Sequence, residues 1–450
     1  YPVMLKSTAG GGGIGMRICP SEAALIEAYD SVTRLAAANF NDGGVFLEKY
    51  IARARHVEVQ IFGNGAGEAA ALGERDCSVQ RRNQKIVEET PAPLLPEKTR
   101  QSMLESARQL ALAAGYRSAG TVEFLYDSET DRYYFLEVNT RLQVEHGVTE
   151  EVFGVDLVEW MVTEAAGELD RLEARLRKPK GHSLQVRLYA EDCFHDFRPS
   201  DGRIDSVVWP EGARVETWIQ PGLQVTTLYD PMLAKIIVHA DTREEAIDKM
   251  IASLERLRVY GITTNQSYIA EFLGTDGFRE GRVSTSMLTG YAPAERAIEV
   301  IDGGVQTTVQ DYPGRTGYWD IGVPPSGPMD ALAFRIGNRL LGNEDKAPGL
   351  EMTLRGGSYR FRDEMRFVLA GADMHAMLDG SPVPLYSPVT ASAGSTLTLG
   401  ESKLGMRGYL LVAGGFDMPL SLGSASTFTL GGFGGHGGGA LRPGAVLRVK

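Results

Sequence analysis

The feature that most constrains the fold is a run of alternating apolar and polar residues at 133–145, Tyr-Tyr-Phe-Leu-Glu-Val-Asn-Thr-Arg-Leu-Gln-Val-Glu. Successive side chains of a β-strand point to opposite faces of a sheet, so this period of two predicts a strand with one apolar and one polar face. To the extent that the strand continues, its polar face carries Glu137, Asn139, Arg141, Gln143 and Glu145.

Oxygen donors gather where this strand meets the strand predicted at 119–126. Glu123 on that neighbour also lies opposite the apolar face, beside Glu137 and Asn139. Three such oxygens predict a Mg²⁺ or Mn²⁺ site, because these cations take hard oxygen ligands and bridge nucleotide phosphates. Arg141 and Glu145 would then supply a fixed cation and a candidate base. The alternative is a solvent-exposed strand face carrying salt bridges, which the absence of Lys and Ser from the face disfavours.

A glycine run near the start resembles a dinucleotide fingerprint only superficially. Gly10, Gly12 and Gly15 fit G-x-G-x-x-G, but the fingerprint requires a helix directly after the loop, whereas Met16-Arg-Ile-Cys19 predicts a strand. A glycine loop between two strands is typical of a lid whose backbone N–H groups cover nucleotide phosphates. Lys6, upstream on the first strand, could reach the same phosphates. A simple hairpin loop explains the glycines equally well.

The order of predicted elements divides the chain near residue 290. Helices and strands alternate before that point, with helices at 21–39, 96–114 and 243–258 and strands at 56–62, 68–74, 119–126 and 133–139. After it, helix is scarce apart from 329–341, and short strand-like runs indicate an all-β module. The glycine-dense stretch 430–443 is either a flexible loop, which we favour, or a place where backbone approaches a ligand.

Composition limits the partners and the compartment. The 450 residues carry a net charge of −12, with 43% hydrophobic and 23% charged residues, which is typical of a soluble globular protein of several domains. The acidic balance argues against a nucleic-acid partner and an anionic membrane surface. Cys19, Cys77 and Cys193 form no C-x-x-C pair and predict thiols in a reducing cytoplasm. Both ends cut through apolar strand-like runs, so we expect a fragment.

Five successive motifs resemble those of the biotin carboxylases, which are ATP-grasp enzymes. They are Lys6-Ser-Thr-Ala-Gly-Gly-Gly-Gly-Ile-Gly-Met-Arg17, Glu48-Lys-Tyr50, Arg55-His-Val-Glu58, Glu74-Arg-Asp-Cys-Ser-Val-Gln-Arg-Arg-Asn-Gln-Lys85 and Glu137-Val-Asn-Thr-Arg-Leu-Gln-Val-Glu-His146. The resemblance implies an ATP-grasp domain at 1–180, with a lid at about 1–50 and a central part at about 51–180, and a C-terminal domain at 181–290. The family's first subdomain, which precedes Lys6, is missing, and this leaves ATP turnover by the isolated chain open.

The same resemblance implies roles for the matched positions. ATP would be bound by Lys6, Gly12, Gly13, Glu48, Lys49, Tyr50, Ile51, His56, Gln80, Asn83, Glu123 and Glu137. The metal would be held by Glu123, Glu137 and Asn139, and bicarbonate and biotin by Lys85, Arg141, Gln143, Val144 and Arg187. The catalytic residues would be Lys85, Arg141, Glu145 and Arg187, with Glu145 as the base for bicarbonate and Arg187 stabilising the biotin enolate. Many relatives have His where Asn83 stands, so we expect an altered nucleotide contact there.

The second half resembles a different family. Residues 305–334, with Gly371-Ala-Asp373 and Gly414-Gly-Phe-Asp417, are similar to the allophanate hydrolase subunit 2 family, which is related to Kip-type subunits and has a β-rich, cyclophilin-like architecture. A biotin carboxylase followed directly by this module resembles the urea carboxylases, in which the module forms half of the carboxyltransferase. We therefore expect a multidomain α+β protein with a linker at 291–300 and a truncated carboxyltransferase domain at 301–450.

Polar residues cluster among glycines and prolines in this second half. They are Gln310, Asp311, Arg315, Ser326 and Asp330. Such groups could hold a small amide through paired hydrogen bonds, or could simply close local turns. The sequence leaves both interpretations open.

The resemblance implies ATP-dependent carboxylation of carrier-bound biotin by bicarbonate through carboxyphosphate, followed by transfer to urea to give allophanate. Guanidine is the alternative acceptor. The biotin carrier domain and the remaining carboxyltransferase half would lie outside this chain, and a homodimer is an open possibility. A non-catalytic Kip-type binding protein is the alternative from another class, and the intact set of charged motif residues weighs against it.

Overall fold

A computed structural model gives the structure of residues 1–8, 16–40, 43–51, 53–169, 171–292 and 296–450. The first elements are β1 (Val3–Ser7), β2 (Met16–Cys19), α1 (Glu22–Phe40) and β3 (Val45–Lys49). They form a small antiparallel sheet, in the order β2-β1-β3, covered by α1. Ser21 caps the helix by accepting a hydrogen bond from the Ala24 N–H (3.3 Å), as predicted. The predicted glycine lid, including Gly12 and Gly13, lies outside the described residues.

The next region supplies five strands of a large sheet. Its elements are β4 (Ala54–Asn64), β5 (Ala69–Arg81), β6 (Gln84–Thr90), α2 (Glu97–Ala113), β7 (Arg117–Asp127), β8 (Arg132–Asn139), α3 (His146–Phe153), α4 (Leu157–Ala165) and α5 (Leu172–Arg175). The predicted hairpin is confirmed, because β4 and β5 pair antiparallel from Val57 to Gly63. On α2, residues spaced by four (Met103, Ala107 and Ala111) are buried with Val57 of β4 in one core.

The third region extends the same sheet. Its elements are β9 (His182–Tyr189), β10 (Glu191–Asp192), β11 (Arg198–Pro199), β12 (Gly202–Arg203), β13 (Ser206–Val208), β14 (Arg214–Thr217), β15 (Gln224–Val225), β16 (Met232–Ala240), α6 (Arg243–Arg256), β17 (Arg258–Tyr260), α7 (Gln266–Leu273) and α8 (Asp276–Arg279). Within the described ranges, the sheet has eight strands in the order β14-β16-β9-β6-β5-β4-β7-β8. Because β6 pairs with β9, the second and third regions share one continuous sheet.

The alternation predicted for 133–145 holds only in part. Strand β8 ends at Asn139, and a bulge interrupts its pairing with β7 beside Glu123. The chain then turns into α3, with the His146 N–H donating to the Gln143 carbonyl (3.3 Å). The expected polar face therefore stops at Asn139. Residues 140–145 reach the site through a turn, which the period of two could not reveal.

The region after residue 296 is mainly β, as predicted. Its elements are β18 (Ala297–Asp302), β19 (Thr307–Gln310), a 3₁₀ turn (Trp319–Ile321), α9 (Ala331–Leu340), β20 (Gly349–Thr353), β21 (Ser358–Phe361), β22 (Met365–Gly371), β23 (Met377–Leu378), β24 (Ser381–Pro382), β25 (Val389–Ala391), β26 (Thr396–Thr398), β27 (Arg407–Val412) and β28 (Val446–Arg448). A six-stranded and a five-stranded sheet share one apolar core. The expected linker overlaps β18, and residues 293–295 within it lie outside the described ranges.

Helix α9 covers the five-stranded sheet, where Phe334 packs edge-on against Tyr409 with ring centroids 5.6 Å apart. In the ranges that the structure describes, no helix combines the length and apolar character needed to cross a bilayer.

Candidate active site

A row of charged side chains crosses the eight-stranded sheet. In register, Arg75 of β5 lies opposite Glu58 of β4, Glu58 opposite Glu123 of β7, and Glu123 opposite Glu137 of β8. The row exists because β4 alternates strictly, with Val57 and Val59 in the core with α2 and the intervening Glu58 on the other face. Arg75 and Glu58 are completely buried. A line of buried charges in a sheet is costly unless each is paired. Here the three buried members are paired, Arg75 with Glu58 and Glu123 with Lys85, while Glu137 at the edge is exposed.

Lys85 lies at the centre of the cluster. Its ammonium donates to Glu145 Oε1 (2.6 Å), Glu58 Oε2 (2.7 Å) and Glu123 Oε1 (3.0 Å). Burial alone would lower the pKa of Lys85, but the negative charges around it, led by Glu58, raise that pKa well above its usual value. Lys85 is therefore a permanent cation held by three carboxylates, one of which can be exchanged for an anionic ligand.

Glu145 lies between two cations. One carboxylate oxygen accepts from Lys85 and the other from Arg187 Nη2 (3.0 Å), while Arg187 Nε donates to Glu88 Oε1 (2.5 Å). Burial and Glu58 push the pKa of Glu145 upward, but Lys85, Arg187 and Arg75 outweigh them, so the net pKa is lowered. Glu145 is consequently ionised and ready to accept a proton once its cations turn to another anion.

Glu123 links the cluster to the predicted ATP ligands. Besides Lys85, it accepts from Gln143 Nε2 (2.8 Å) and lies 3.0 Å from His56 Nε2. The other ring nitrogen of His56 contacts Gln80 Nε2 at 2.9 Å. Burial would raise the pKa of Glu123, yet these hydrogen bonds and the neighbouring positive charges lower it strongly. One connected network therefore joins five predicted residues: His56, Gln80, Lys85, Glu123 and Gln143.

The donor set around Glu123 fits a hard divalent cation. Glu137 faces Glu123 directly across the strand pair, and Asn139 Nδ2 is 3.4 Å from Glu137 Oε1. Facing carboxylates repel one another unless a cation lies between them, and carboxylate and amide oxygens suit Mg²⁺ or Mn²⁺. A second set, formed by His56, Glu58 and Glu123, has its donor atoms within 4.8 Å of one another.

The remaining predicted residues lie around this network. On the lid sheet, Lys6 pairs with Glu48 (2.6 Å), and Lys49 donates to Tyr134 OH on β8 (3.2 Å). Tyr50 and Ile51, which follow β3, are half-buried. Arg141 is exposed, and its Nη1 makes a long contact of 3.4 Å with the Leu142 carbonyl oxygen.

The backbone conformation at position 83 explains why Asn is suited to it. It lies in the two-residue turn between β5 and β6, where Arg82 and Asn83 have φ values of 50° and 65°. Two successive left-handed residues are typical of the tight hairpin turn that Asn favours. Asn83 is exposed, so the described residues do not show what it contacts in the nucleotide site.

The sequence analysis gave no role to three residues of the cluster, Glu58, Arg75 and Glu88. Arg75 Nε donates to Glu58 Oε1 (2.6 Å) and Nη1 donates to Gln60 Oε1 (2.7 Å), and Glu88 binds Arg187 as described above. The alternation of 56–61 could have marked Glu58 as an inward polar residue. The pairing of Glu58 with Arg75, 17 positions apart, depends on strand register.

In the second half, two of the predicted polar residues, Asp311 and Arg315, bind the segment 421–426. The Asp311 carboxylate accepts from Ser424 Oγ (2.5 Å), Ser426 Oγ (2.6 Å) and the Ala425 N–H (2.8 Å). Arg315 donates to the carbonyls of Ser421 (3.0 Å) and Ser426 (2.5 Å). These contacts join Asp311 and Arg315 to a segment more than a hundred positions away in the sequence, so for these two residues they are not the local turn bonds that the sequence left open.

The other three members of this set are also engaged within the fold. Gln310 accepts from the Gly327 N–H (2.9 Å), and Asp330 caps α9 by accepting from the Ala333 N–H (3.0 Å). Ser326 lies 3.5 Å from Arg315 Nη1. We find no open pair of hydrogen-bonding groups for an amide among these five residues in the described structure.

The glycine-dense stretch packs closely against its own chain. At Gly434, where φ is +77°, a Cβ would lie 2.1 Å from the Ser426 carbonyl oxygen. Close backbone approach therefore explains a glycine here. The backbone here approaches another part of the protein, whereas the sequence analysis favoured a flexible loop.

A cavity of about 480 Å³ lies away from the charged cluster, between the third region and the second half. Arg258 and Asp417 line it and form an ion pair of 3.0 Å. The described residues around it include none of those predicted as site residues, so we place the chemistry at the charged cluster, where buried ionised groups converge.

Family models match three consecutive parts of the chain. Residues 1–172 match the carbamoyl-phosphate synthase L chain, ATP binding domain; residues 185–290 match the biotin carboxylase C-terminal domain; and residues 321–450 match the carboxyltransferase domain, subdomain A and B. The fold and the charged cluster together define a biotin carboxylase of the ATP-grasp type joined to a carboxyltransferase domain.

The urea amidolyase of Saccharomyces cerevisiae is 50% identical over 447 residues, which is 99% of this chain and 24% of that protein. A putative urea carboxylase of Emericella nidulans is 42% identical over 466 residues, covering 100% of this chain and 37% of that one. The crystal structure of Kluyveromyces lactis urea carboxylase superposes with a TM-score of 0.78 at 47% identity, covering 89% of this chain and 35% of that one. The chain is similar to urea carboxylases and urea amidolyases over nearly its whole length and spans about a quarter of the length of the yeast relative.

Proposed function

We propose that the chain is part of an enzyme that carboxylates carrier-bound biotin with bicarbonate and ATP and then transfers the carboxyl group to urea, giving allophanate. The observation that carries the proposal is the Glu145 carboxylate held between Lys85 at 2.6 Å and Arg187 at 3.0 Å. Identity of 42–50% with urea carboxylases and amidolyases over nearly the whole chain supports urea as the acceptor.

In the first step, Glu145 accepts the proton of bicarbonate. The bicarbonate oxygen then attacks the γ-phosphorus of ATP, and the bond to the ADP oxygen breaks, leaving carboxyphosphate and ADP. Lys85 and Arg187, together with Arg141, would bind the anion with Gln143 and the Val144 backbone. When the two cations turn from Glu145 to bicarbonate, the Glu145 pKa rises, and the carboxylate becomes a better base.

ATP would lie between the lid and β7–β8, held by the residues that the family resemblance implies. When bound, Mg²⁺ or Mn²⁺ neutralises phosphate charge, and Glu123, Glu137 and Asn139 would be its ligands. Lys6, Gly12 and Gly13 would close over the phosphates. Exclusion of water matters here, because carboxyphosphate is rapidly lost to hydrolysis.

Biotin would arrive on a carrier domain, and Arg187 would place a fixed positive charge beside its ureido group. The proposed division is an ATP-grasp domain at 1–180, a biotin carboxylase C-terminal domain at 181–290 and a carboxyltransferase portion from 301. We place the protein in the cytoplasm, in keeping with three cysteines that form no disulfide.

The test uses the natural full-length protein. ATP cleavage is measured with bicarbonate and Mg²⁺ in the presence of urea, guanidine, acetyl-CoA or no acceptor. We expect urea to stimulate cleavage, and Glu145→Gln to remove the bicarbonate-dependent part. Glu105→Gln, the same change at an exposed helix position paired with Arg108, is the matched control. Stimulation by guanidine alone would reassign the acceptor, and bicarbonate-dependent cleavage that survives Glu145→Gln would refute the proposal.

A further inference from the structure

Lys235 is a buried lysine behind the charged cluster, and the resemblance assigns it no role. It lies on β16, opposite Arg187 of β9 on one side and Glu216 of β14 on the other. Its residue is only 7% exposed. The ammonium donates to the Val144 carbonyl oxygen (2.8 Å) and pairs with Glu216 Oε2 (2.8 Å). Burying a lysine is costly unless its charge is paired. Glu216 supplies that pair, so the second contact, to the Val144 carbonyl, is the one that calls for a reason.

The Val144 carbonyl belongs to the peptide plane that ends at the Cα of Glu145. Fixing that plane restricts the direction in which the Glu145 side chain leaves the backbone, because only rotation about the Glu145 N–Cα bond remains. Lys235 and Arg187 therefore act on the same residue from adjacent strands. Arg187 holds the Glu145 carboxylate (3.0 Å), and Lys235 holds the backbone just before it.

A second contact joins this turn to β16. Gly147, one residue into α3, lies so close to Ile237 that a Cβ would be 2.4 Å from Ile237 Cδ1. The pKa of His146 is lowered first by burial and then by the positive charge of Lys235, so the ammonium is close enough to act electrostatically on the turn. Strand β16 thus contacts the segment from Val144 to Gly147 at both ends.

The position of Lys235 is itself fixed by a chain of ion pairs. Glu216 is shared with Arg214, whose Nη2 also pairs with Glu150 of α3 (2.7 Å). Glu150 in turn accepts from the Leu157 N–H at 2.8 Å. The chain runs from β14 to the helix that Glu145 precedes, so Lys235 cannot shift without disturbing pairs on both sides.

We propose that Lys235 is a positioning residue for the bicarbonate step, which aims the Glu145 carboxylate by fixing the Val144 peptide. The proposal rests on the proposed function, because it assigns Lys235 to the binding and deprotonation of bicarbonate. A displacement of about 1 Å in a catalytic group can reduce a rate by about a hundredfold. A lysine that merely ties α3 to the sheet would instead change stability without a preference for one substrate.

The test is steady-state kinetics of bicarbonate-dependent ATP cleavage by the full-length protein carrying Lys235→Met. We expect kcat to fall at least about tenfold and the KM for bicarbonate to rise, with the KM for ATP within about twofold of wild type. Lys249→Met is the matched control, because the exposed Lys249 also donates to a backbone carbonyl, that of His239 (3.1 Å), away from the cluster. Lys235→Arg, which keeps the charge and a donor, should fall between wild type and Lys235→Met.

Two results would overturn the proposal. One is Lys235→Met kinetics unchanged from wild type, and the other is an equal rise in the KM values for ATP and bicarbonate. If Lys235→Met does not fold, Lys235→Arg is the test. A rise in the bicarbonate KM without a rise in the ATP KM supports the proposal, and no rise in the bicarbonate KM contradicts it. If the wild type shows no bicarbonate-dependent cleavage, the proposed function fails. Hydrogen exchange at 143–148, expected to be faster in Lys235→Met, still tests whether Lys235 holds this turn.

Discussion

Two buried charge networks, one in each half of the chain, are built from different partners. Around Lys85, a cation is held by the carboxylates of Glu58, Glu123 and Glu145. Around Asp311 and Arg315, each charge is bound by backbone groups or hydroxyls of residues 421–426. The first network consists of side chains that can exchange one partner for an anionic ligand. The second is anchored to a loop whose backbone cannot leave.

The difference indicates that the charges around Lys85 take part in chemistry, whereas those around Asp311 and Arg315 stabilise the fold. Buried ion pairs stabilise little overall, because desolvation offsets their attraction. A cluster in which one cation has three carboxylate partners is therefore better explained by chemistry than by stability. Hydrogen bonds from a charged group to backbone, by contrast, fix loops. The predictions below test this contrast, from the largest expected effect to the smallest.

Arg141→Ala should produce the largest change in activity with little change in stability. Arg141 is exposed, with one long contact to a neighbouring carbonyl, so its removal should alter the free energy of unfolding by less than about 0.5 kcal/mol. Loss of a cation that faces transferring oxygens should lower bicarbonate-dependent ATP cleavage by about 100- to 1000-fold. Kinetics and urea unfolding of the same preparation check both. Arg132→Ala, at an exposed position earlier on β8, is the control.

Lys85→Met should destabilise the first half strongly. Removing the ammonium leaves three buried carboxylates facing one another, and breaking a buried pair in this way costs about 3–5 kcal/mol. Native-state hydrogen exchange of β4 to β7 would measure the loss region by region. Unchanged protection in these strands would show that the carboxylates do not depend on Lys85.

Asp311→Asn should have a smaller effect, confined to the second half. The amide cannot accept all three hydrogen bonds that the carboxylate accepts, so we expect a loss of about 1–3 kcal/mol. Hydrogen exchange of residues 421–428 should become faster, and bicarbonate-dependent ATP cleavage should stay at the wild-type rate. A fall in ATP cleavage would show that the Asp311 network also affects the chemistry, contrary to the contrast drawn between the two networks.

Acidification should weaken the first network through Glu123. Its folded-state pKa is lowered, so its contribution is fully present above the unfolded value of about 4.3 and is lost as the pH falls below that value. The difference in unfolding free energy between wild type and Glu123→Gln should therefore shrink by about 1–2 kcal/mol between pH 6 and pH 3. Urea unfolding at several pH values measures it, and a difference independent of pH would contradict the ionised state of Glu123.

The sequence predicted most of the regular elements, because their periodicity is local. Helix α1 with its Ser21 cap, the β4–β5 hairpin and α2 follow from spacing and turn residues alone. The charged residues Lys85, Glu123, Glu145 and Arg187 were chosen from separate motifs, and the structure brings them together.

What the sequence could not predict depends on register and on turns. The Glu58–Arg75 pair and the placement of Lys235 beside Arg187 follow from which residues face each other across strands. The end of β8 at Asn139 follows from the turn into α3, although the alternation continues to Glu145 in the sequence. In the second half, nothing in the sequence indicated that the partners of Asp311 and Arg315 lie about a hundred positions away, as Ser424 does from Asp311.

The central claim is that the Lys85–Glu145–Arg187 cluster directs bicarbonate onto the γ-phosphate of ATP. The most direct measurement is the fate of oxygen from ¹⁸O-labelled bicarbonate, mixed rapidly with ATP and the full-length protein. The account predicts that the phosphate released carries an oxygen from bicarbonate, and that Glu145→Gln abolishes this transfer. Phosphate whose new oxygen comes from water would contradict it, because ATP would then be cleaved without passing through carboxyphosphate.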